Sequence, residues 1–195
     1  MLTRSHSEDS STKLPLAIEG LTLRRLVTHA DERGALTEMM RTSWLADAPF
    51  PVQWNYVRSK GNVLRGVHVH VRHWDYLVIP EGEATIGLVD LRKDSPTFRL
   101  AQTILMSDVQ MSLLVIPPGI AHGFYFARDG VFTYGLTHYW DPVGDEFGCR
   151  WNDPALGLHW GEVEAPLLSP KDRSAGSLDE LLTQLRGKAD WCGSA

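Results

Sequence analysis

Short apolar runs separated by turn residues make up most of the chain between Leu14 and Trp140. The runs are rich in Val, Ile, Leu, Tyr and Thr, and most of them end at Gly, Pro, Asp or Asn. Many short strands at near-regular spacing are typical of a β-sandwich or a small barrel. The pattern predicts an all-β domain with strands in LTLRRLVTHA, NYVRS, VLRGVHVHV, DYLVIPEG, EATIGLVDL, MSLLVIPPG, HGFYFARDG and VFTYGLTHYW.

One segment near the C-terminus follows a helical period instead. Ser177 and Glu180 have the spacing of a capping box, and Gly187 is a stop signal. Leu178, Leu181, Leu182 and Leu185 share one face of the predicted helix. We therefore divide the chain into a flexible polar tail (1–13), one β domain (14–176), and a C-terminal helix and tail (177–195).

Composition narrows the class of protein. A chain of 195 residues with 43% apolar residues suits one globular domain, and a net charge of −5 disfavours nucleic-acid binding. No run reaches the roughly 18 to 20 apolar residues that a membrane helix needs, and the polar start does not resemble a secretory signal. Cys149 and Cys192 lie outside any CxxC pair, so we expect free thiols and a cytoplasmic location.

Two histidine motifs carry candidate chemistry. In HVH, His68 and His70 are two residues apart, so on a strand both side chains point to the same face and the flanking valines to the other. His122 follows in PPGIAH, and HxH upstream of PxGxxH resembles the arrangement of the cupin superfamily. Asp75 lies where many metal-binding cupins have an acidic ligand. Three imidazoles and a carboxylate suit a transition metal.

Further motifs extend over about residues 20–175 in a fixed order. They are DERGALTE (31–38), QWNYVRSKGNVLRGVH (53–68), GEATIGLVDLRKDSPTF (82–98), LLVIPPGIAHGF (113–124), RWNDPALGLHW (150–160) and LLSPKD (167–172). Together they resemble the dTDP-4-dehydrorhamnose 3,5-epimerase family. The resemblance implies a cupin-type jelly-roll barrel with a short C-terminal helical segment.

The same resemblance implies a function. Members of that family act as homodimers without a metal or other cofactor. They epimerise a nucleotide-linked 4-keto-6-deoxy sugar at C3 and C5, by proton abstraction next to the ketone and reprotonation from the opposite face. We therefore expect an isomerase with a dTDP-sugar substrate, and no nucleic-acid or membrane partner.

The resemblance also assigns roles to residues. His68 is the expected catalytic base, Asp172 its carboxylate partner and Tyr134 the group that returns a proton. Arg65 matches a phosphate-binding position. The full set of expected substrate-binding residues is Arg33, Glu38, Gln53, Asn55, Arg65, His70, Asp75, His122 and Trp140.

Several positions depart from the family pattern. Asp75 replaces a lysine, His70 a glutamine and Trp140 a tyrosine. We expect Asp75 to lie near Asp90, where two carboxylates would resist ionising together. Two alternatives stay open: a metal-dependent cupin enzyme, or a non-epimerising nucleotide-sugar enzyme or binding protein. The metal ligands in the first alternative would be His68, His70, Asp75 and His122.

Overall fold

The computed structural model describes residues 11–45 and 48–188. The strands of this part of the chain are β1 (Thr12–Leu14), β2 (Thr22–Arg25), β3 (Thr28–Asp31), β4 (Gly34–Thr37), β5 (Gln53–Ser59), β6 (Val63–Val69), β7 (Asp75–Glu81), β8 (Glu83–Asp90), β9 (Ala101–Ser107), β10 (Ser112–Ile116), β11 (Ile120–Phe126), β12 (Gly130–Leu136) and β13 (Phe147–Gly148). The helices are α1 (Pro170–Arg173) and α2 (Leu178–Leu185), with 3-10 turns at Thr42–Trp44 and Pro154–Leu156. Among these described residues no helix is long and apolar enough to cross a membrane.

The described strands form two large antiparallel sheets and a separate hairpin. The six-stranded sheet has the order β1-β2-β10-β7-β12-β5, and the five-stranded sheet has the order β13-β6-β11-β8-β9. The strands β3 and β4 pair only with each other. From β5 to β8 and again from β9 to β13, each strand lies in the opposite large sheet from the one before it, as in a jelly roll. The predicted all-β architecture is confirmed.

The alternation of β6 separates a packed face from a cavity face. Val67, Val69 and Val71 are buried in an apolar cluster that also contains the leucines of α2. His68 and His70 face a cavity instead. The predicted alternation of this strand is confirmed, because extended backbone sends successive side chains to opposite faces.

Gly66, just before these residues, allows β6 to approach β11 closely. Its φ is +114°, and a Cβ atom there would lie 2.8 Å from the His122 carbonyl oxygen. Only glycine tolerates this combination of backbone angle and contact. The close approach brings His68 opposite His122 in the strand register.

The C-terminal helix agrees with its prediction. Ser177 accepts a hydrogen bond from the Glu180 amide, and the Glu180 side chain accepts one from the Ser177 amide, which completes the capping box. Leu178, Leu181 and Leu185 are buried against the five-stranded sheet's outer cluster. This packing anchors α2 to the barrel.

Three expectations differ from the structure. The predicted strand over residues 21–30 is two strands, because the chain leaves the six-stranded sheet at Leu26 and continues into the separate hairpin. Thr12 and Lys13, assigned to a flexible tail, pair with β2. Strand β9 was not predicted from the sequence; it is an edge strand of the five-stranded sheet and pairs with β8. Cys149 is a buried free thiol, and Cys192 lies outside the described residues.

Candidate active site

The barrel contains a cavity of about 310 Å³ between its two sheets. Its described lining is Val57, Arg65, His68, His70, His73, Asp75, Leu77, His122, Phe124, Phe132, Tyr134, Leu136, Trp140, Glu146, Ser169, Lys171 and Asp172. Apolar walls with a few convergent polar groups are typical of a small-molecule site. Eight residues that the sequence predicted as site residues meet here: Arg65, His68, His70, Asp75, His122, Tyr134, Trp140 and Asp172.

His68 and Asp172 form a dyad in the cavity wall. The His68 Nε2 atom lies 2.5 Å from Asp172 Oδ1, although the residues are 104 positions apart. Asp172 is in the first turn of α1, where Ser169 caps the helix and donates to Asp172 Oδ2 at 2.8 Å. The Asp172 side chain is 5% exposed and that of His68 is 21% exposed. The dyad therefore has a fixed carboxylate and a ring that faces the cavity.

Asp172 is held in its ionised form. Burial favours the neutral acid, but the hydrogen bonds from His68, Ser169 and the Gly66 amide outweigh it and keep the pKa of Asp172 below its usual value. An ionised acceptor fixes the proton of the neutral imidazole on Nε2. The lone pair of His68 is then on Nδ1.

Tyr134 lies on β12 in the six-stranded sheet, and Arg65 lies on β6, three residues before His68. Tyr134 stacks on Phe132 with ring centroids 5.7 Å apart, and burial, followed by Asp75 and Glu146, raises its pKa. The Arg65 guanidinium lies over the same Phe132 ring at 5.8 Å. Its buried Nε atom has no hydrogen-bond partner among the described residues. A half-buried cation with a free, buried donor atom favours an anionic ligand.

Glu146 and Lys171 belong to the cavity wall, although the sequence did not identify them. Lys171 Nζ lies 2.5 Å from Glu146 Oε1, and Trp140 Nε1 donates to Glu146 Oε2 at 2.8 Å. Burial opposes ionisation of Glu146, but the hydrogen bonds from Lys171 and Trp140 keep its pKa below the usual value. The adjacency of Lys171 to Asp172 in LSPKD was the available signal.

A second polar cluster surrounds Asp75. The Nε2 atoms of His70, His73 and His122 lie 3.8, 3.6 and 3.8 Å from Asp75 Oδ2. All four residues are buried. Burial raises the pKa of Asp75 to about 7, with His73 opposing the shift. Burial also lowers the pKa of His122 to about 4 and that of His70 well below its usual value.

The cluster corrects two expectations. Asp90 does not line the described cavity wall, and its carboxylate is bonded to Arg92, Ser95 and Thr97 rather than set against Asp75. The alternative set of metal ligands included His68, but His68 is hydrogen-bonded to Asp172 instead. The residue that lies beside His70 and Asp75 is His73, because the loop after β6 returns the chain to the cavity.

Four predicted binding residues lie elsewhere. Gln53 and Asn55 are on β5, where their side chains bond to each other at 2.9 Å. Arg33 pairs with Asp31 at the tip of the separate hairpin, and Glu38 pairs with Arg41 just after it. In the described part of a single chain, none of these four lines the cavity.

Sequence relatives identify the family. A family model described as dTDP-4-dehydrorhamnose 3,5-epimerase matches residues 15–180. The protein of that name from Salmonella typhimurium is 38% identical over 135 residues, covering 67% of this chain and 73% of the relative. The one from Streptomyces griseus is 32% identical over 174 residues and 86% of each chain. The match to the one from Neisseria gonorrhoeae, at 36% identity, covers 80% of this chain but only about half of the relative, 49%.

Solved structures show the same similarity. An epimerase from Legionella pneumophila in complex with dTDP-4-keto-L-rhamnose has a TM-score of 0.80 at 31% identity, covering 87% of this chain and 93% of its own. A 3'-monoepimerase from Streptomyces bikiniensis in complex with dTDP-quinovose has a TM-score of 0.79 at 28% identity, covering 88% and 90%. The fold is thus the cupin-type jelly roll of these enzymes, and the chain belongs to the dTDP-4-dehydrorhamnose 3,5-epimerase family of isomerases.

Proposed function

We propose that the protein epimerises a dTDP-linked 4-keto-6-deoxy sugar at C3, C5 or both. The observation that carries this proposal is the 2.5 Å contact between His68 and Asp172, in the wall of a cavity that also contains Tyr134. The bound dTDP sugars of the Legionella and Streptomyces structures support the substrate class. A base and an acid on separate walls are what inversion at carbon requires.

His68 is the proposed base. A 4-keto group acidifies the hydrogens on both neighbouring carbons, C3 and C5, because loss of either hydrogen gives an enolate. Asp172 accepts the Nε2 hydrogen of the imidazole and thereby leaves the Nδ1 lone pair for proton abstraction. A neutral imidazole is a suitable base near pH 7.

Tyr134 is the proposed acid. Burial raises the pKa of its phenol, so the group keeps its proton at neutral pH and carries no charge before the reaction. The phenol would return a proton to the carbon from the face opposite His68. The configuration at that carbon is then inverted.

Arg65 is the proposed phosphate ligand. Its buried Nε atom lacks a hydrogen-bond partner in the described chain, and its guanidinium is held in place over Phe132. A diphosphate would satisfy the free donor and the charge together. This contact would place the sugar beside the dyad.

We also propose that the active protein is a homodimer. The hairpin of β3 and β4 is exposed, and β5 is an edge strand of its sheet with Trp54 44% and Tyr56 58% exposed. Pairing of two chains at this edge would cover these aromatics. It would also allow Arg33 and Glu38 of one chain to reach the cavity of the other.

Hydrogen exchange tests the chemistry directly. The protein is incubated in heavy water with dTDP-4-keto-6-deoxyglucose, and deuterium at C3 and C5 is measured by NMR. We expect deuterium at one or both carbons. Tight binding without exchange at either carbon would contradict the proposal and support a binding protein.

Two substitutions separate the base from the acid. In His68→Asn we expect exchange to fall by about 10²- to 10⁴-fold, the contribution of general acid–base catalysis, with dTDP binding retained. In Tyr134→Phe we expect deuterium to enter without inversion, since the base returns it to the face it left. The exposed His159→Asn is the matched control and should match the unsubstituted protein.

A further inference from the structure

The cluster around Asp75 has the spacing of ligands around a common ion. Its three nitrogen–oxygen distances of 3.6 to 3.8 Å are too long for hydrogen bonds. Metal–nitrogen bonds of roughly 2.0 to 2.1 Å place tetrahedral ligand atoms about 3.4 Å apart. The ligand atoms of His70, His73 and Asp75 all lie within 4.8 Å of one another. The His70 and His73 rings are stacked with their centroids 3.9 Å apart, so binding of one ion would need rotation of a ring as well as contraction of the cluster.

The outer ring nitrogens of the three histidines are already occupied. His70 Nδ1 donates to the Asp145 carbonyl oxygen at 2.8 Å, and His73 Nδ1 bonds to Asp145 Oδ2 at 2.7 Å. His122 Nδ1 donates to the Ile120 carbonyl oxygen at 3.1 Å. Each ring therefore presents its Nε2 atom to Asp75. Histidines that bind metals have this arrangement, since the outer hydrogen bond fixes the tautomer and the ring orientation.

An independent observation also points to a ligand. The side chain of His73 is 1% exposed, and its Nε2 atom has no hydrogen-bond partner anywhere in the described ranges. Buried side-chain nitrogens are nearly always bonded. A protonated Asp75 could satisfy only one of the facing nitrogens, whereas a cation would satisfy His70, His73 and the carboxylate at once.

We propose that His70, His73 and Asp75 bind one divalent transition-metal ion in the cavity wall. Two imidazoles and one carboxylate are the donors that ions such as Zn²⁺, Fe²⁺ and Ni²⁺ prefer. The site is separate from the dyad, because His68 is held by Asp172. Since these three residues line the cavity, the fourth tetrahedral position of the ion would be open to a bound molecule.

Metal titration tests the proposal. Protein without a histidine tag is dialysed against a chelator and titrated with Co²⁺, whose visible absorption reports coordination, and Zn²⁺ is then added as a competitor. We expect saturation at one equivalent per chain and a higher midpoint of thermal unfolding in the presence of Zn²⁺. Removing a hydrogen-bond partner of a metal ligand lowers metal affinity about 10- to 100-fold, so we expect a loss of that size in Asp145→Asn. Removing a ligand itself, in His73→Asn or Asp75→Asn, should lower the affinity further. The control His159→Asn should bind as tightly as the unsubstituted protein.

Two results of these titrations would contradict the metal site. Absence of saturable Co²⁺ binding would overturn the proposal and indicate that Asp75 holds a proton instead. Co²⁺ binding by folded Asp75→Asn that is as tight as that of the unsubstituted protein would overturn the proposal too. Because this substitution barely changes the shape of the side chain, it tests the proposal even if His73→Asn does not fold. Deuterium exchange into the sugar without any metal binding would leave the proposed function intact, so the two proposals fail separately.

Discussion

Two buried carboxylates in this barrel have opposite surroundings. Asp90, at the end of β8, accepts hydrogen bonds from Arg92, Ser95 and Thr97 at 2.6 to 2.9 Å. Asp75, at the start of β7, faces three imidazole nitrogens that are all 3.6 Å or farther away. Both residues are almost inaccessible to solvent. The fold therefore places hydrogen-bond donors around Asp90 but none within hydrogen-bonding distance of Asp75 among the described residues.

The pKa values of these carboxylates move in opposite directions. Burial opposes ionisation of Asp90, but the hydrogen bonds from Arg92, Ser95 and Thr97 keep its pKa below the usual value. Burial raises the pKa of Asp75 to about 7. Buried polar groups without partners reduce stability, so their retention indicates a role in binding or catalysis. From this difference we infer that Asp90 stabilises the fold and that Asp75 has a role in ligand binding or catalysis.

Removal of the Asp90 carboxylate should give the largest effect on stability. Asp90→Ala leaves Arg92, whose side chain is 19% exposed, without its acid partner. We expect a loss of about 3 kcal/mol in the free energy of unfolding, measured in urea, since breaking a buried ion pair strands the other charge. A loss below about 1 kcal/mol is typical of exposed ion pairs, and it would contradict the contrast between Asp90 and Asp75.

The stability difference between the unsubstituted protein and Asp90→Ala should depend on pH. Because the folded-state pKa of Asp90 is depressed, its stabilisation is present above the usual value of 3.8 and is lost as the pH falls through the folded-state pKa. We expect a constant difference from neutral pH to about pH 5 and a smaller one toward pH 3. Urea unfolding at each pH measures it, and an invariant difference would contradict the prediction.

Removal of one donor to Asp90 should have a smaller effect. The Thr97 hydroxyl donates to Asp90 Oδ2 at 2.7 Å and accepts from the Glu19 amide at 3.1 Å. Thr97→Val keeps the shape and removes these two bonds and the bond between the Thr97 and Ser95 hydroxyls at 3.1 Å. We expect a loss of about 1 to 2 kcal/mol in the free energy of unfolding. Thr103→Val, on β9, is a control for the same chemical change and should be nearly neutral.

Asp75→Asn should have the smallest effect on the stability of metal-free protein. The carboxylate has no hydrogen bond to a donor in the described structure, so an amide of the same shape removes little. We expect a change below about 1 kcal/mol, at the low end of single substitutions. A loss as large as that of Asp90→Ala would show that Asp75 belongs to the scaffold.

The site was predicted unevenly from the sequence. Motif order located His68, Tyr134 and Asp172, because each lies within a segment whose pattern the family shares. His73 and Lys171 were not assigned, since neither occupies a strand position that predicts its direction. Arg33 was placed at the cavity, yet in one chain it lies on the separate hairpin. A linear pattern carries no information on whether a partner chain completes a site.

The sequence by itself determined the strand class, the two faces of β6 and the capped C-terminal helix. These depend on residues within a few positions of one another, and the periods of strands and helices are local properties. Only the tertiary structure decided that His68 meets Asp172 across 104 positions, and that Asp75 faces three histidines while Asp90 is bonded to a neighbouring loop. Burial and the supply of donors depend on which distant segments pack together, and those contacts fix the charge of each carboxylate.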